Sequence, residues 1–245
     1  MVSIIIPIYN NLELTKECLK AVYDNTNGEY EVVLIDNGSE LTFTCNWDKA
    51  VVIRNEENKG FPIAVNQGIQ VAKGDIIVLL NNDVIVTPNW LERLTAHLDE
   101  YDIVGPMTNY VAGHQKALLP VYENRKELDE QALIYYQEHK GETQEVNFVI
   151  GFCMVFRKAL WEELGPFDES LWPCSGEEID FCLRALESKH RIGIIIDTYV
   201  HHIGSQTFSL MQKAGQIDYG EICQINDAHL AEKWGSDFWH KQVAL

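Results

Sequence analysis

The stretch Ile76-Ile77-Val78-Leu79-Leu80-Asn81-Asn82-Asp83 decides the fold: five aliphatic residues end abruptly in two amides and a carboxylate. A strand buried on both faces of a mostly parallel sheet reads as continuous aliphatics, and ligands gather beyond the carboxyl ends of such strands. The pattern puts Asp83 where a metal ion or a phosphate would be met. A polar turn closing a core strand accounts for the same residues.

Working outward, Val2 to Ile8, Val32 to Ile35 and Val51 to Ile53 are further short aliphatic runs, each followed by a polar segment. Helical spacing lies between them. Leu14, Cys18 and Val22 recur at i, i+4, i+8 after Asn10-Asn11, and Ala64, Gly68 and Ala72 do so before Gly74, read as a C′ glycine. Thr87-Pro88 predicts a third helix through Leu98, with Thr87 as N-cap and Pro88 at N1. Strands alternating with helices imply βαβ crossovers and an α/β sheet covered by helices on both faces.

The second half has a different rhythm. Glu123 to Lys140 is charged and reads as a helix, Val146 to Arg157 is mainly apolar, and Gly176 to Lys189 reads as a helix before a strand at Ile192 to Ile196. With no linker or repeat between the halves, we expect one domain over 1–245. Residues 1–105 form one half, 106–207 complete the sheet and one wall of a cleft, and 208–245 form a helical extension with helices at Ser209 to Gln224 and Asp227 to Trp234.

The 19 Lys and Arg against 37 Asp and Glu leave a net charge of −18, which repels nucleic acid and anionic membrane surfaces. An anionic ligand must then be held by a cation, a helix N-terminus or a local basic pocket. Cys18, Cys45, Cys153, Cys174, Cys182 and Cys223 form no CxxC pair and read as reduced thiols. No signal peptide or membrane-spanning run is present in the sequence, so the expected location is cytoplasmic. The aromatic tail with Trp234 and Trp239 either packs on the domain, meets a partner, or touches the inner face of a membrane.

Motif spacing removes several alternatives. The first strand is followed by Pro7-Ile8-Tyr9-Asn10-Asn11 and not by Gly-x-Gly-x-x-Gly; the P-loop and Gly-x-Ser-x-Gly patterns are also missing. What the strand ends do carry is polar: Tyr9-Asn10, Asp36-Asn37-Gly38-Ser39, Asn58-Lys59-Gly60-Phe61 and Asn81-Asn82-Asp83. In a parallel sheet these groups share one edge. Asp36 suits a hydrogen bond from a base or ribose, and Asp-Asn-Gly-Ser is equally a good turn.

These segments, in order, resemble the signatures of family 2 glycosyltransferases with the GT-A fold: Ser3 to Asn10, Val33 to Ser39, Asn58 to Phe61 with Ala64, Asn66 and Gly68, and Gly74-Asp75 with Leu79 to Asp83. The resemblance continues through Gly151 to Met154, Gly165 to Glu169, Gly176 to Arg184 and His201 to Gly204, covering roughly residues 2 to 207. It implies a Rossmann-like, mostly parallel sheet flanked by helices with a smaller acceptor-side region. It also implies transfer of a sugar from a UDP- or dTDP-sugar to an acceptor hydroxyl, with inversion, in polysaccharide, cell-surface glycan or glycoconjugate synthesis.

By that resemblance Pro7, Tyr9 and Asn10 line the base and ribose, Asp36 reads the base edge, and Asn58, Gly60, Phe61 and Asn66 close the pocket. The Asp-x-Asp element is Asn81-Asn82-Asp83, retaining one carboxylate. Asp83 and His202 would hold a divalent cation, Mn²⁺ or Mg²⁺, with His201 as the alternative to His202 and a structural histidine as the other reading. Chemistry points the same way: a departing diphosphate gains charge, and a hard cation stabilises it. Imidazole among oxygen ligands favours Mn²⁺.

An inverting displacement needs a base for the acceptor hydroxyl. The corresponding element here is Glu177-Glu178-Ile179-Asp180, which makes Glu178 the base and Glu177 the alternative. Ser175-Gly176-Glu177-Glu178 also reads as a capping box, and a helix N-terminus would lower the carboxylate's pKa. Asp168, Trp172 and Phe152 are the acceptor-side candidates, for hydroxyl hydrogen bonds and stacking on a sugar face, with the Phe167 to Pro173 loop as a mobile cover. The acceptor itself is open among glycan, lipid-linked and protein hydroxyls. Two other functions share these features: a catalytically degenerate nucleotide-sugar-binding module, and a nucleotidyltransferase.

Overall fold

The computed structural model describes residues 1–111, 113–204 and 206–237. Its elements run β1 (Val2–Ile8), α1 (Leu12–Asn25), β2 (Tyr30–Asn37), β3 (Ala50–Asn55), α2 (Phe61–Val71), β4 (Ile76–Leu80), β5 (Val84–Val86), α3 (Trp90–Ala96) and β6 (Ile103–Thr108). Then follow α4 (Arg125–His139), β7 (Thr143–Val146), β8 (Cys153–Arg157), α5 (Lys158–Leu164), α6 (Glu177–Glu187), β9 (Ile192–His202), α7 (Gln206–Lys213) and α8 (Tyr219–Trp234).

Among the described residues all nine strands join one sheet in the order β3-β2-β1-β4-β8-β6-β9-β5, with β7 on β9. β1, β2, β3, β4, β6 and β9 point one way, while β5, β7 and β8 run against them. The carboxyl ends of six strands and the amino ends of β5 and β8 therefore lie along a single edge.

Burial explains the aliphatic runs. Ile4, Ile5, Ile6 and Ile8 of β1 and Val32 to Ile35 of β2 are all buried, and each such side chain contributes roughly 1.5–3 kcal/mol of transfer free energy. Helix α2 packs on β1 and β2 through its small residues. A Cβ on Gly68 would stand 2.3 Å from Ile5 Cγ2, so glycine sets the closeness of helix and strand. A second apolar cluster of Leu171, Ile179, Leu183 and Leu230 fastens α8 to α6.

Several local expectations are corrected. The cap of α3 is Asn89, in the left-handed region at φ 61°, rather than Thr87, whose hydroxyl instead donates to the Tyr199 carbonyl. Gly74 is not a C′ residue: α2 ends at Val71, and Gly74 is there because a Cβ would lie 2.7 Å from the Ser3 nitrogen. Strand β6 was hidden by Gly105-Pro106, and the register does shift between Pro106 and Met107. Strand β9 continues through Asp197-Thr198 to His202, since the Asp197 carboxylate accepts the Gly141 N–H at 2.8 Å and Thr198 is buried. The C-terminal helices break at 214–218, where Gly215 has φ 67° and the Asp218 side chain caps α8 through the Glu221 N–H.

All six cysteines are free thiols, four of them buried. Among the described residues no helix is long and apolar enough to cross a membrane. Trp234 packs back on the domain, donating Nε1–H to Asp180 Oδ1 at 2.9 Å; Trp239 lies outside the described residues.

Candidate functional site

The shared edge brings Asp83 and His202 together. Asp83 leads into β5, whose Val84 pairs with His202 at the end of β9, and the Ile203 N–H donates to the Asp83 carbonyl at 3.0 Å. His202 Nε2 stands 3.2 Å from Asp83 Oδ1, and both residues are buried. His202 Nδ1 lies 2.9 Å from the Tyr110 carbonyl, which can only accept, so Nδ1 carries the hydrogen. In the neutral ring Nε2 then turns a lone pair toward the carboxylate, an arrangement that suits a cation between them. His201 points to the other side of β9, where the Tyr122 hydroxyl meets its Nδ1.

Two residues that the sequence did not single out hold this arrangement. Asn109 accepts the His202 N–H on Oδ1 at 2.8 Å and returns Nδ2–H to the His202 carbonyl at 3.0 Å, while Tyr110 supplies the carbonyl for the ring. Both follow β6, and the strand-end rule would have found them had that strand been recognised. Asn81 and Asn82 differ in role. Asn82 is buried and donates to Thr15 Oγ1 at 2.9 Å, joining α1, whereas Asn81 Oδ1 is buried without a partner.

Among the described residues, seven buried side-chain polar atoms have no hydrogen-bond partner, and four of them belong to Asn81, Glu177, Glu178 and His202. Folded proteins satisfy almost all such atoms, so a cluster of exceptions marks a place for a ligand. Three of these residues neighbour Gly151 or Phe152, and Glu177 adjoins the third, Glu178, in sequence. The Asn81 N–H donates to the Phe152 carbonyl at 2.9 Å, the Phe152 ring stacks on His202 with centroids 5.3 Å apart, and a Cβ on Gly151 would lie 3.5 Å from Glu178 Cβ.

Glu177 and Glu178 open α6, and their environment reverses the expected pKa direction. Burial raises both carboxyls above the usual range. For Glu177 the charge of Glu178 adds to the effect; for Glu178, backbone N–H groups including that of Gly151 pull part of the way back. Desolvation outweighs the helix N-terminus here. The capping box is not formed: Gly176 at φ 97° is the N-cap with no side-chain cap, and Ser175 at φ 84° turns its hydroxyl toward Cys223 Sγ at 3.7 Å.

The nucleotide-side residues fall into two groups. Pro7 lies in β1 opposite Ile35, and Tyr9 and Asn10 follow at the edge, half-buried, with the Asn10 N–H on Ser39 Oγ at 2.8 Å. Asn58 Oδ1 accepts from Asn37 Nδ2 and from the Gly60 N–H, each at 2.9 Å. Gly60, at φ 89°, sits under Trp172, and the Phe61 N–H donates to the Pro173 carbonyl at 2.7 Å. Asp36 and Asn66 are placed differently from the expectation. The Asp36 carboxylate is fully buried and accepts from the Ser39 and Phe43 N–H groups at 3.0 Å and from Arg54, so it shapes the following loop rather than offering a free oxygen. Burial alone would raise its pKa, and these hydrogen bonds outweigh that and lower it. Asn66 is buried and clasps Phe167: Nδ2 donates to its carbonyl and Oδ1 accepts its N–H, both at 2.9 Å, so it braces the fold rather than the pocket.

The acceptor candidates also separate. Phe152 is core, its face taken by His202. Asp168 is committed to Ser170 Oγ at 2.6 Å and Lys233 Nζ at 2.9 Å, and these contacts, against the opposing effect of burial, hold its carboxyl well below the usual range. Trp172 alone keeps an open face, being 50% exposed beside Gly60. Leu171 and Phe167 are buried, and the loop expected to be mobile is fastened by Asn66, Phe61 and Lys233.

Asp83 and His202 supply an oxygen and a nitrogen ligand suited to a divalent ion, and among the described residues no cluster of three or more metal-ligating side chains exists. The remaining ligands of a cation here would be water, ligand oxygens or the Asn81 amide.

Residues 3–165 match the family described as Glycosyl transferase family 2. The glycosyltransferase AglE of Haloferax volcanii is 25% identical over 90% of this chain and 73% of its own length. A glycosyltransferase of Rickettsia conorii is 29% identical over 94% of this chain, which spans 38% of it. Among solved structures, GalNAc-T7 with UDP, GalNAc and Mn²⁺ superposes with a TM-score of 0.64 at 19% identity, over 82% of this chain and 43% of that one. Staphylococcus aureus TarS with UDP-GlcNAc gives 0.59 at 19% identity, over 97% and 72%. A Pyrobaculum calidifontis mannosyltransferase with GDP-Man and Mn²⁺ gives 0.59 at 18% identity, over the same shares. The strand-end motifs thus sit on a GT-A sheet, two-thirds of the sequence matches one family, and this chain belongs to glycosyl transferase family 2.

Proposed function

We propose that this chain is an inverting glycosyltransferase that takes a sugar from a nucleoside-diphosphate sugar and passes it to an acceptor hydroxyl. The observation that carries the reading is the set of unsatisfied buried atoms on Asn81, Glu177, Glu178 and His202, with Asn81, Glu178 and His202 each next to Gly151 or Phe152. Fold neighbours crystallised with UDP, UDP-GlcNAc or GDP-Man support a nucleoside-diphosphate sugar as donor.

Tyr9, Asn10, Asn58, Gly60 and Phe61 would border the nucleotide, in a loop frame built by Asp36 and Arg54. Asp83 and His202, with Asn109 and Tyr110 behind the imidazole, would hold Mn²⁺ or Mg²⁺. Such a cation, when bound, neutralises charge growing on the diphosphate. Glu178 takes the proton from the acceptor hydroxyl as its oxygen bonds to the anomeric carbon. The bond from that carbon to the diphosphate oxygen breaks on the opposite face, which inverts the centre. Burial favours this step, because it makes Glu178 a stronger base than an exposed carboxylate. Trp172 offers an aromatic face at the mouth. In this reading the chain acts in glycan or glycoconjugate synthesis at the cytoplasmic side of a membrane or in the cytoplasm.

The test begins with a thermal-shift screen of UDP-, dTDP- and GDP-sugars with Mn²⁺, followed by nucleotide release from the best donor. Glu178→Gln should lower turnover by ~10²–10⁴-fold and leave donor binding intact. Donor binding without turnover in the parent chain, across a broad acceptor panel, would favour a binding module.

A further inference from the structure

The family match ends at residue 165, before the turn that carries Glu177 and Glu178. That turn is gripped by one face of α8. Asn226, Leu230, Lys233 and Trp234 are spaced i, i+4, i+7, i+8 and so share a face. Buried Asn226 donates Nδ2–H to the Cys174 carbonyl at 2.7 Å and to the Ser175 carbonyl at 3.0 Å. Leu230 fills the space over Gly176, where a Cβ would come within 2.7 Å of its Cδ1. On the far side of the two glutamates, Lys233 Nζ at 2.8 Å and Trp234 Nε1 at 2.9 Å both reach Asp180 Oδ1, while Arg184 Nε meets Oδ2 at 2.9 Å.

We propose that α8 is a positioning element for the reaction, in which Asn226 and Lys233 hold the first turn of α6 at both ends and so aim the Glu178 carboxylate past Gly151 at the acceptor hydroxyl. It rests on the reading of Glu178 as the base. The turn needs such a hold. Ser175 and Gly176 are consecutive left-handed residues at φ 84° and 97°. For serine that conformation is unfavourable and persists only where surrounding contacts impose it. Asn226 supplies donors to the carbonyls before and after Ser175, the first residue of the reversal. Without them the turn is free to relax, and a small rotation of α6 about its axis swings Glu178 away from Gly151. General-base catalysis requires the carboxylate within hydrogen-bond reach of the proton, so misaiming lowers turnover and leaves the nucleotide end of the cleft untouched. A role confined to holding the fold would instead lower the melting temperature and the folded fraction, leaving KM and kcat per folded molecule unchanged.

The experiment uses the full chain and follows nucleotide release from the UDP-sugar of largest thermal shift, with UDP plus Mn²⁺ as the binding probe. Asn226→Asp replaces the amide by an isosteric group that cannot donate. Lys233→Met removes the ammonium shared by Asp180 and Asp168, Asp168→Asn beside it weakens the Asp168 pair alone, and Lys233→Arg restores a cation for both. We expect kcat to fall at least tenfold in Asn226→Asp and Lys233→Met, with donor KM and UDP–Mn²⁺ affinity within twofold of the parent, and most of the loss recovered in Lys233→Arg. If Asn226→Asp fails to fold, Lys233→Met decides the matter, since Lys233 is the more exposed partner. A folded Lys233→Met with kcat within twofold of the parent overturns the proposal, as does a loss equally distributed between kcat and KM. Glu178→Gln runs beside them. If it is inactive while Asn226→Asp and Lys233→Met are fully active, only the positioning role falls; if it turns over normally, the base reading falls and takes this one with it.

Discussion

His202 Nε2 faces Asp83 Oδ1 at 3.2 Å, while the other ring nitrogen is tied to the Tyr110 carbonyl. With Nδ1 held as donor to Tyr110, Nε2 and the Asp83 carboxylate are placed to share a divalent cation. Adding Mn²⁺ with UDP should therefore raise the melting temperature. At a hundredfold excess over Kd the gain is about 2.7 kcal/mol, and roughly 2–4 °C accompanies each kcal/mol in a chain of this size. Asp83→Ala and His202→Ala should each abolish the Mn²⁺-dependent part, and an undiminished shift in both would remove these residues from the cation site.

Asn109 should matter to the same measurement without touching a ligand. It closes two hydrogen bonds on the His202 backbone, and outer partners of metal ligands typically tune affinity by about 10–100-fold. Asn109→Ala is expected to weaken Mn²⁺ binding in that range, read by titration in the presence of UDP. An unchanged affinity would show that strand pairing alone orients the ring.

Glu177 gives a pH dependence of definite sign. Its carboxyl is buried and its pKa raised, first by desolvation and then by Glu178. Above its unfolded value near 4.3 the native state retains a proton that the unfolded chain releases, so stability falls as pH rises toward the folded value. Glu177→Gln removes that slope. Urea unfolding at a series of pH values should show the variant gaining on the parent as pH increases from about 4.5; parallel curves would contradict the assignment.

His190 gives a second limb of the same sign, from a group whose protonated form is the charged one. Its Nδ1 meets Asp102 and its Nε2 meets Glu163, each at 3.0 Å. Partial burial works against the charge, but the two carboxylates outweigh it and raise the pKa. The stability gained is fully present below the unfolded value of about 6.5 and is lost as pH rises through the higher folded value. His190→Gln should flatten this limb in the same unfolding series, and a limb that survives the substitution belongs to another group.

Gly60 tests the nucleotide-side loop. At φ 89°, with Trp172 Cδ1 2.5 Å from where a Cβ would stand, alanine meets both backbone strain and a ring. Gly60→Ala should cost about 1–3 kcal/mol of stability, displace Trp172, and weaken donor binding more than it weakens Mn²⁺ binding. Full donor affinity would separate this loop from the pocket.

The polar strand ends were legible in one dimension because strands of a parallel sheet announce themselves as aliphatic runs and their ends share an edge. Asp83 emerges that way, whereas His202, Glu177 and Glu178 were reached through the resemblance to a known family. Partner assignments were not legible. Asn66 and Asp168 carry the residue types of a binding site, yet their oxygens are spent on Phe167, Ser170 and Lys233. Phe152 has an aromatic face, and His202 covers it.

Local sequence determined the elements and their order, since aliphatic periodicity, glycine placement and turn chemistry act over a few residues; from them came the α/β sheet and the edge on which the site lies. Only the tertiary structure decided which polar groups are left over. Whether a carboxylate is satisfied depends on donors that arrive from distant segments, as Arg54 does for Asp36 and α8 does for Asp180. The sign of a pKa shift depends on how much protein surrounds the group, which is why burial overrode the helix N-terminus at Glu177 and Glu178.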